Sequence, residues 1–319
     1  MRSGAERPGA ERPGAERPAA ERPAAERGQP AAGPRQLVLT LSCPDRPGIV
    51  HAVAAFLHDS GCNILDSQQF ADLTLNRFFM RVHVETLGAA PADVPALRAG
   101  FGPIAGEFGM DWDLYDLAIR PRVLIMVSRE GHCLNDLLYR REAESLAIDV
   151  PLVVGNHPDL ARLAAGHGVP FEHVPVGPDP ADRAEAEGRL LDLVAAHRVD
   201  FVVLARYMRI LSPEVCAKLA GRIINIHHSF LPSFRGARPY QQAYDYGVKV
   251  IGATAHYVTP ELDEGPVIEQ EVARVEHNAA PAQLAALGRD AERVALARAV
   301  RWHAEHRILL HGRRTVIFK

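Results

Sequence analysis

The 319-residue sequence has little that would tie it to a membrane, a nucleic acid or an oxidising compartment. No stretch approaches the roughly 18 uninterrupted apolar residues of a membrane span. A charged start, apolar core and small-residue cleavage site of the secretory kind are also missing. Lysine is scarce: Lys218, Lys249 and Lys319 are the only ones, so 33 of the 36 basic residues are arginine. Those arginines are scattered and outnumbered by 39 acids, and a net charge of −3 provides no footprint for a polyanion. The four cysteines, Cys43, Cys62, Cys133 and Cys216, form neither a CxxC pair nor a cluster, and read as buried, inert thiols in a reduced, cytoplasmic protein. What remains is an ordinary globular composition, 47% apolar and 24% charged, long enough for two domains.

The first 35 residues stand apart. GAERP occurs three times from Gly4 to Pro18, followed by AAERP (19–23) and AAERG (24–28). A proline every fifth residue removes donors before a helix can propagate, and alanine is the largest apolar side chain on offer. Residues 1–35 are therefore expected to be a disordered tail, separate from the functional machinery.

From Gln36 the pattern changes. Gln36–Ser42 alternates like a half-buried strand, and Asp45 is placed to cap a following helix with Pro47 in its first turn. Ile49, Val50, Val53, Phe56 and Leu57 would form that helix's apolar face. Strands are expected at Cys62–Asp72 and Arg77–Thr86, the second supplying Phe79, Val82 and Val84 to the core. A second helix over Pro91–Phe108 is interrupted by Gly100, Gly102 and Pro103, and a last strand lies near Met110–Tyr115. The order β-α-β-β-α-β is ferredoxin-like. With Asp45-Arg46-Pro47-Gly48 at the first turn and Asn63-Ile64 opening the second strand, residues 36–116 resemble an ACT domain, a module that senses amino acids. That resemblance implies a regulatory site at Asp45, Gly48, Asn63 and Ile64, where Gly48 admits a ligand to the backbone and a helix N-terminus attracts its carboxylate.

After a link at Asp116–Pro121, short apolar strands alternate with helices: Arg122–Ser128, Pro151–Gly155, Phe171–Val176, Asp200–Ala205 and Arg222–Ile226. This predicts a Rossmann-like, mostly parallel sheet over residues 121–319, giving an α/β chain with an α+β domain in front. Ligands of such sheets sit at the carboxyl ends of the strands, beside the switch in strand order. The segments there are RYMRILSP (206–213) and NIHHSFLPSFRGARPY (225–240), with TPELDEGPVIEQ (259–270) after the next strand. Asn225 and His227 alternate with Ile226 and so face the same way, and Asp263 lies on a neighbouring loop. An amide donor, an imidazole and a carboxylate are the parts that stabilise an oxyanion and move a proton. No GxSxG elbow is present to support a serine hydrolase. His228 and His256 raise the question of a metal, but no HxH or HExxH spacing occurs, and none is expected.

Asn-x-His followed by Ser-x-Leu-Pro, with an acid in a later D-x-G-P loop, resembles the formyltransferases that use 10-formyltetrahydrofolate. Together with HCLNDLLYR (132–140), NHPDL (156–160), LARYMRILS (204–212) and GRDAERVALARAVRWH (288–303), the chain from Gln36 onward resembles the formyltetrahydrofolate deformylases. The resemblance implies hydrolysis of the N10-formyl group without a cofactor, catalysis by Asn225, His227 and Asp263, and a pterin lying against Met208, Arg209, Ile210 and Leu211. It further implies a part in one-carbon balance and purine supply, a homo-oligomer, and methionine or glycine as effector. Relatives that formylate glycinamide ribonucleotide need a glycine-rich phosphate loop after the first strand of the sheet. Here SREGHCLNDLL (128–138) has Gly131 alone, so water is the expected acceptor. Arg238 departs from the pattern, which carries Asn in GA-x-PY; a long cation there would alter contacts to the folate tail. Two rivals are a transferase with an amine acceptor, which would release no formate unaided, and an amino-acid sensor with a retired catalytic domain, which would have no use for an intact Asn225, His227 and Asp263.

Overall fold

The structure is a computed structural model that describes residues 34–87, 93–231 and 239–319. The pentad-repeat tail lies outside the described residues except for Pro34 and Arg35. Arg35 is tied down: its amide donates to Thr86 Oγ1 at 3.0 Å and its guanidinium meets Asp116 at 3.3 Å.

The N-terminal elements are β1 (Gln36–Pro44), α1 (Ile49–Asp59), β2 (Cys62–Asp72), β3 (Arg77–Thr86), α2 (Val94–Phe108) and β4 (Asp111–Asp116). The antiparallel sheet has the order β2-β3-β1-β4, the ferredoxin-like topology that the element order predicts. Helices α1 and α2 cover one face, burying Ile49, Val53 and Leu57 against Phe101, Val82 and Val84. Phe79 is fully buried, but on the opposite face, against Phe70 and His311.

Several expectations need correcting. Asp45 does not cap α1: Gly48 occupies that position with φ 99°, a left-handed backbone that a side chain would strain, and its turn admits Ile49 as the first helical residue. Val50 points outward at 41% exposure. Helix α2 runs unbroken through Gly100, Gly102 and Pro103, with Asp93 accepting from the Ala96 amide at 3.2 Å as its cap; the expected start at Pro91 lies outside the described residues. Strand β1 is not half-buried, because Leu37 through Cys43 are buried on both faces of the sheet. The second face is closed by the chain's own C-terminus.

The C-terminal half comprises β5 (Arg122–Val127), α3 (His132–Glu142), β6 (Asp149–Gly155), α4 (Ala161–Gly166), β7 (Phe171–His173), α5 (Pro180–Ala196), β8 (Phe201–Leu204), α6 (Pro213–Lys218), β9 (Ile223–His227), α7 (Pro239–Asp245), β10 (Val250–Tyr257), β11 (Val267–Arg274) and α8 (Pro281–Ala304). A hairpin, β12 (Ile308–His311) and β13 (Arg314–Ile317), follows. The seven-stranded sheet has the order β11-β10-β9-β8-β5-β6-β7; β7, β6, β5, β8 and β9 are parallel, and β10 runs antiparallel to both of its neighbours, β9 and β11. The order reverses between β5 and β8, which fixes the crevice for a ligand at their carboxyl ends.

Each face of the sheet has its own core. Ile125, Val127, Val203 and Ile226 pack against α3 and α8; Leu124, Met126, Leu204 and Ile223 pack against Leu190, Leu193 and Val194 of α5 and Val215 of α6. All four cysteines are free and buried, and burial raises each thiol's pKa. No helix among the described residues is long and apolar enough to cross a membrane.

Candidate active site

Strand β9 delivers Asn225 and His227 to the same face of the sheet as Ile223, the face shared with α5. Antiparallel β10 sets His256 opposite Asn225 and Thr254 opposite His227. The loop after β10 folds back on its strand: the Tyr257 amide donates to the Pro266 carbonyl at 2.9 Å. Gly265 permits this approach, since a Cβ there would collide with the Tyr257 carbonyl. The turn holds Asp263 in a left-handed conformation, φ 56°, and aims its carboxylate at the two imidazoles.

The three expected residues thus converge. Asp263 Oδ2 is 3.3 Å from His227 Nδ1, and Oδ1 is 3.7 Å from His256 Nε2. His227 Nε2 pairs with Ser229 Oγ at 2.8 Å. The Nδ1–H of His256 donates to the Tyr257 carbonyl at 2.9 Å, which leaves Nε2 to accept from the Asn225 amide at 3.2 Å. That arrangement requires a neutral His256, and burial, foremost, lowers its pKa accordingly. Burial alone would raise the Asp263 pKa, but the hydrogen bond and charge of His227 outweigh it and leave the carboxylate below its usual range. His256 was considered from the sequence only as a metal ligand; its pairing with Asn225 across two strands has no local sequence signal.

The segment after β8 is pinned at three points. The Met208 amide donates to Ser128 Oγ at 2.9 Å, Arg209 reaches the Val176 carbonyl at 3.2 Å, and the Ser212 amide meets Glu187 at 2.8 Å. Arg209, Ile210 and Leu211 line a shallow cleft with Met126, Val154 and Leu190. Met208 is not among the lining residues; it is 57% exposed, and its amide is already committed to Ser128. Arg238 lies outside the described residues.

In the N-terminal domain the expected regulatory residues do not meet within one chain. Asp45 follows the end of β1 that pairs with Arg77, whereas Asn63 pairs with Glu85. Those two β3 positions are about 26 Å apart along an extended strand. Asn63 and Ile64 are exposed on β2, an edge strand.

Comparison with known proteins places the geometry. The formyl transferase family model matches residues 121–300 and the ACT domain model matches 37–98. A formyltetrahydrofolate deformylase of Corynebacterium sp. (strain P-1) is 49% identical over 282 residues, covering 88% of this chain and 98% of that protein. The chain belongs to the formyltetrahydrofolate deformylase family. Among solved structures, the family member from Burkholderia mallei is 51% identical with a TM-score of 0.84, covering 89% of this chain and all of that one. A glycinamide ribonucleotide transformylase from Symbiobacterium toebii is 30% identical with a TM-score of 0.59; it spans 98% of its own length but 65% of this chain.

Proposed function

We propose that this deformylase-family chain hydrolyses 10-formyltetrahydrofolate to formate and tetrahydrofolate at the Asn225–His227–Asp263 cluster. The observation that carries the reading is the ionised Asp263 against His227 at 3.3 Å, at the end of the strand that also presents Asn225. Water adds to the formyl carbon, and the developing oxyanion takes hydrogen bonds from the second Asn225 amide proton and from His227. Asp263 accepts the proton lost by water and returns one to N10, and the carbon–nitrogen bond breaks as the oxyanion collapses to the carbonyl of formate. Substrate and water supply every atom, and no cofactor is required. The pterin occupies the cleft beside Arg209, Ile210 and Leu211, with Met208 at its rim.

The ACT domain is read as the seat of an amino-acid effector, methionine or glycine. A single ligand touching both Asp45–Gly48 and Asn63–Ile64 needs a second chain, which supports a homo-oligomer. The setting is the cytoplasm, where the released formate supports purine synthesis.

The test is formate release from 10-formyltetrahydrofolate by purified protein with no acceptor, repeated with methionine and with glycine. Stoichiometric formate is the expected result. Substrate binding without formate would favour the amine transferase or the sensor.

A further inference from the structure

A second carboxylate, this one buried, stands near the same strand ends and takes no part in the reaction scheme. Glu292 of α8 is 1% exposed. Its Oε1 accepts from the Tyr240 hydroxyl at 2.6 Å; its Oε2 accepts from His132 Nε2 at 2.7 Å and faces Arg206 Nε at 3.3 Å. Burial would raise the pKa of Glu292, but these three partners reverse that and keep it ionised.

The three partners come from separate parts of the chain. His132 opens α3 after β5, Arg206 follows β8 with a left-handed backbone (φ 64°), and Tyr240 lies in the first turn of α7. His132 and Arg206 therefore flank the β5/β8 crevice where the strand order reverses. Its two faces differ. Met126 and Leu190 help to line the cleft on the α5 face, the face to which Asn225 and His227 point. On the α3/α8 face, Glu292 holds two hydrogen-bond donors, His132 and Tyr240, and the ion-paired Arg206 together across the crevice. His228 joins the two groups, its ring 5.1 Å from His227 and 6.4 Å from Tyr240. An enzyme that joins two substrates needs an approach for each, and here one face carries a cleft while the other is occupied by the protein's own polar side chains.

We propose that Glu292 is a specificity-determining positioning residue: by holding His132, Arg206 and Tyr240 over the α3/α8 face of the crevice, it leaves water as the nucleophile that reaches the formyl carbon. The inference rests on the hydrolytic reading. If the plug is opened, a small primary amine enters, attacks the formyl carbon and loses a proton, N10 leaves with a proton, and an N-formyl amine replaces part of the formate.

The experiment measures tetrahydrofolate, formate and N-formylglycinamide from 10-formyltetrahydrofolate in the presence of glycinamide, for wild type, Glu292→Ala and His132→Ala. Wild type should give formate equal to tetrahydrofolate, whereas both variants should give N-formylglycinamide and a matching deficit of formate. A residue that only supports the fold would lower turnover without changing the ratio of products. His132→Ala removes a side chain at the edge of the cluster and keeps Tyr240 and Arg206 on Glu292, so it decides the matter if Glu292→Ala does not fold. Formate equal to tetrahydrofolate in a folded, active His132→Ala protein would overturn the proposal. Failure of wild type to form formate would instead refute the hydrolytic reading beneath it.

Discussion

Two carboxylates at the ends of one sheet are treated in opposite ways. Asp263 stands on a loop, 17% exposed, against the imidazoles of His227 and His256. Glu292 stands on the longest helix, 1% exposed, with an arginine, a tyrosine and a histidine committed to it. The first is arranged so that a proton can come and go; the second is saturated, so that its charge stays where it is. Ionised carboxylates at a site therefore differ in use according to how far their partners saturate them and whether a substrate can reach them.

The sharpest separation should appear in rate. Asp263→Asn keeps the shape but removes the proton acceptor, and kcat for formate release should fall by about 10³-fold. Its unfolding free energy in urea should change by only about 1 kcal/mol, because the side chain is partly solvated. Retention of turnover would remove Asp263 from the chemistry.

Stability should show the reverse. Glu292→Leu leaves the Arg206 guanidinium buried without its counter-charge, and the loss in urea denaturation should be about 3–5 kcal/mol. A loss below about 1 kcal/mol would mean that Arg206 finds solvent and that the cluster is looser than its geometry.

A third difference concerns pH. Burial and the nearby Arg206 lower the His228 pKa to about 4, against about 6.5 in an unfolded chain. Between those values the unfolded state binds a proton that the folded state refuses, so this contribution is whole above pH 6.5 and is lost as pH falls towards 4. The loss should be on the order of 1–3 kcal/mol, and His228→Gln should remove it from the pH profile of the unfolding free energy. Asp263 and Glu292, both held below the usual carboxylate range, keep their contributions above about pH 4 and lose them further into acid.

These contrasts explain what could be read from the chain directly. Asn225 and His227 were legible because alternation in a strand is local, and Asp263 because a D-x-G-P turn is a local signal. Glu292 was not: within GRDAERVALARAVRWH it has the look of a solvated helix charge, and its partners His132 and Tyr240 lie 160 and 52 residues away. The fold followed the same division. The β-α-β-β-α-β order and the parallel sheet come from periodicity, whereas β1 was misjudged as half-buried because what covers its second face arrives some 270 residues later. There Arg81 of β3, 2% exposed, donates to the carbonyls of Glu305 and His306 at 3.1 and 3.2 Å, and Tyr115 stacks on His306 with ring centroids 3.5 Å apart. Burial lowers the Arg81 pKa to about 10, so its charge persists at neutral pH.

Hydrolysis at this site requires that water, activated at Asp263, attack the formyl carbon. A single turnover of enzyme-bound 10-formyltetrahydrofolate in ¹⁸O-labelled water, with no amine present and the formate read by mass spectrometry, tests it most directly. Formate carrying one heavy oxygen, in amounts equal to tetrahydrofolate, is the expected result. Unlabelled formate, or tetrahydrofolate without formate, would contradict it.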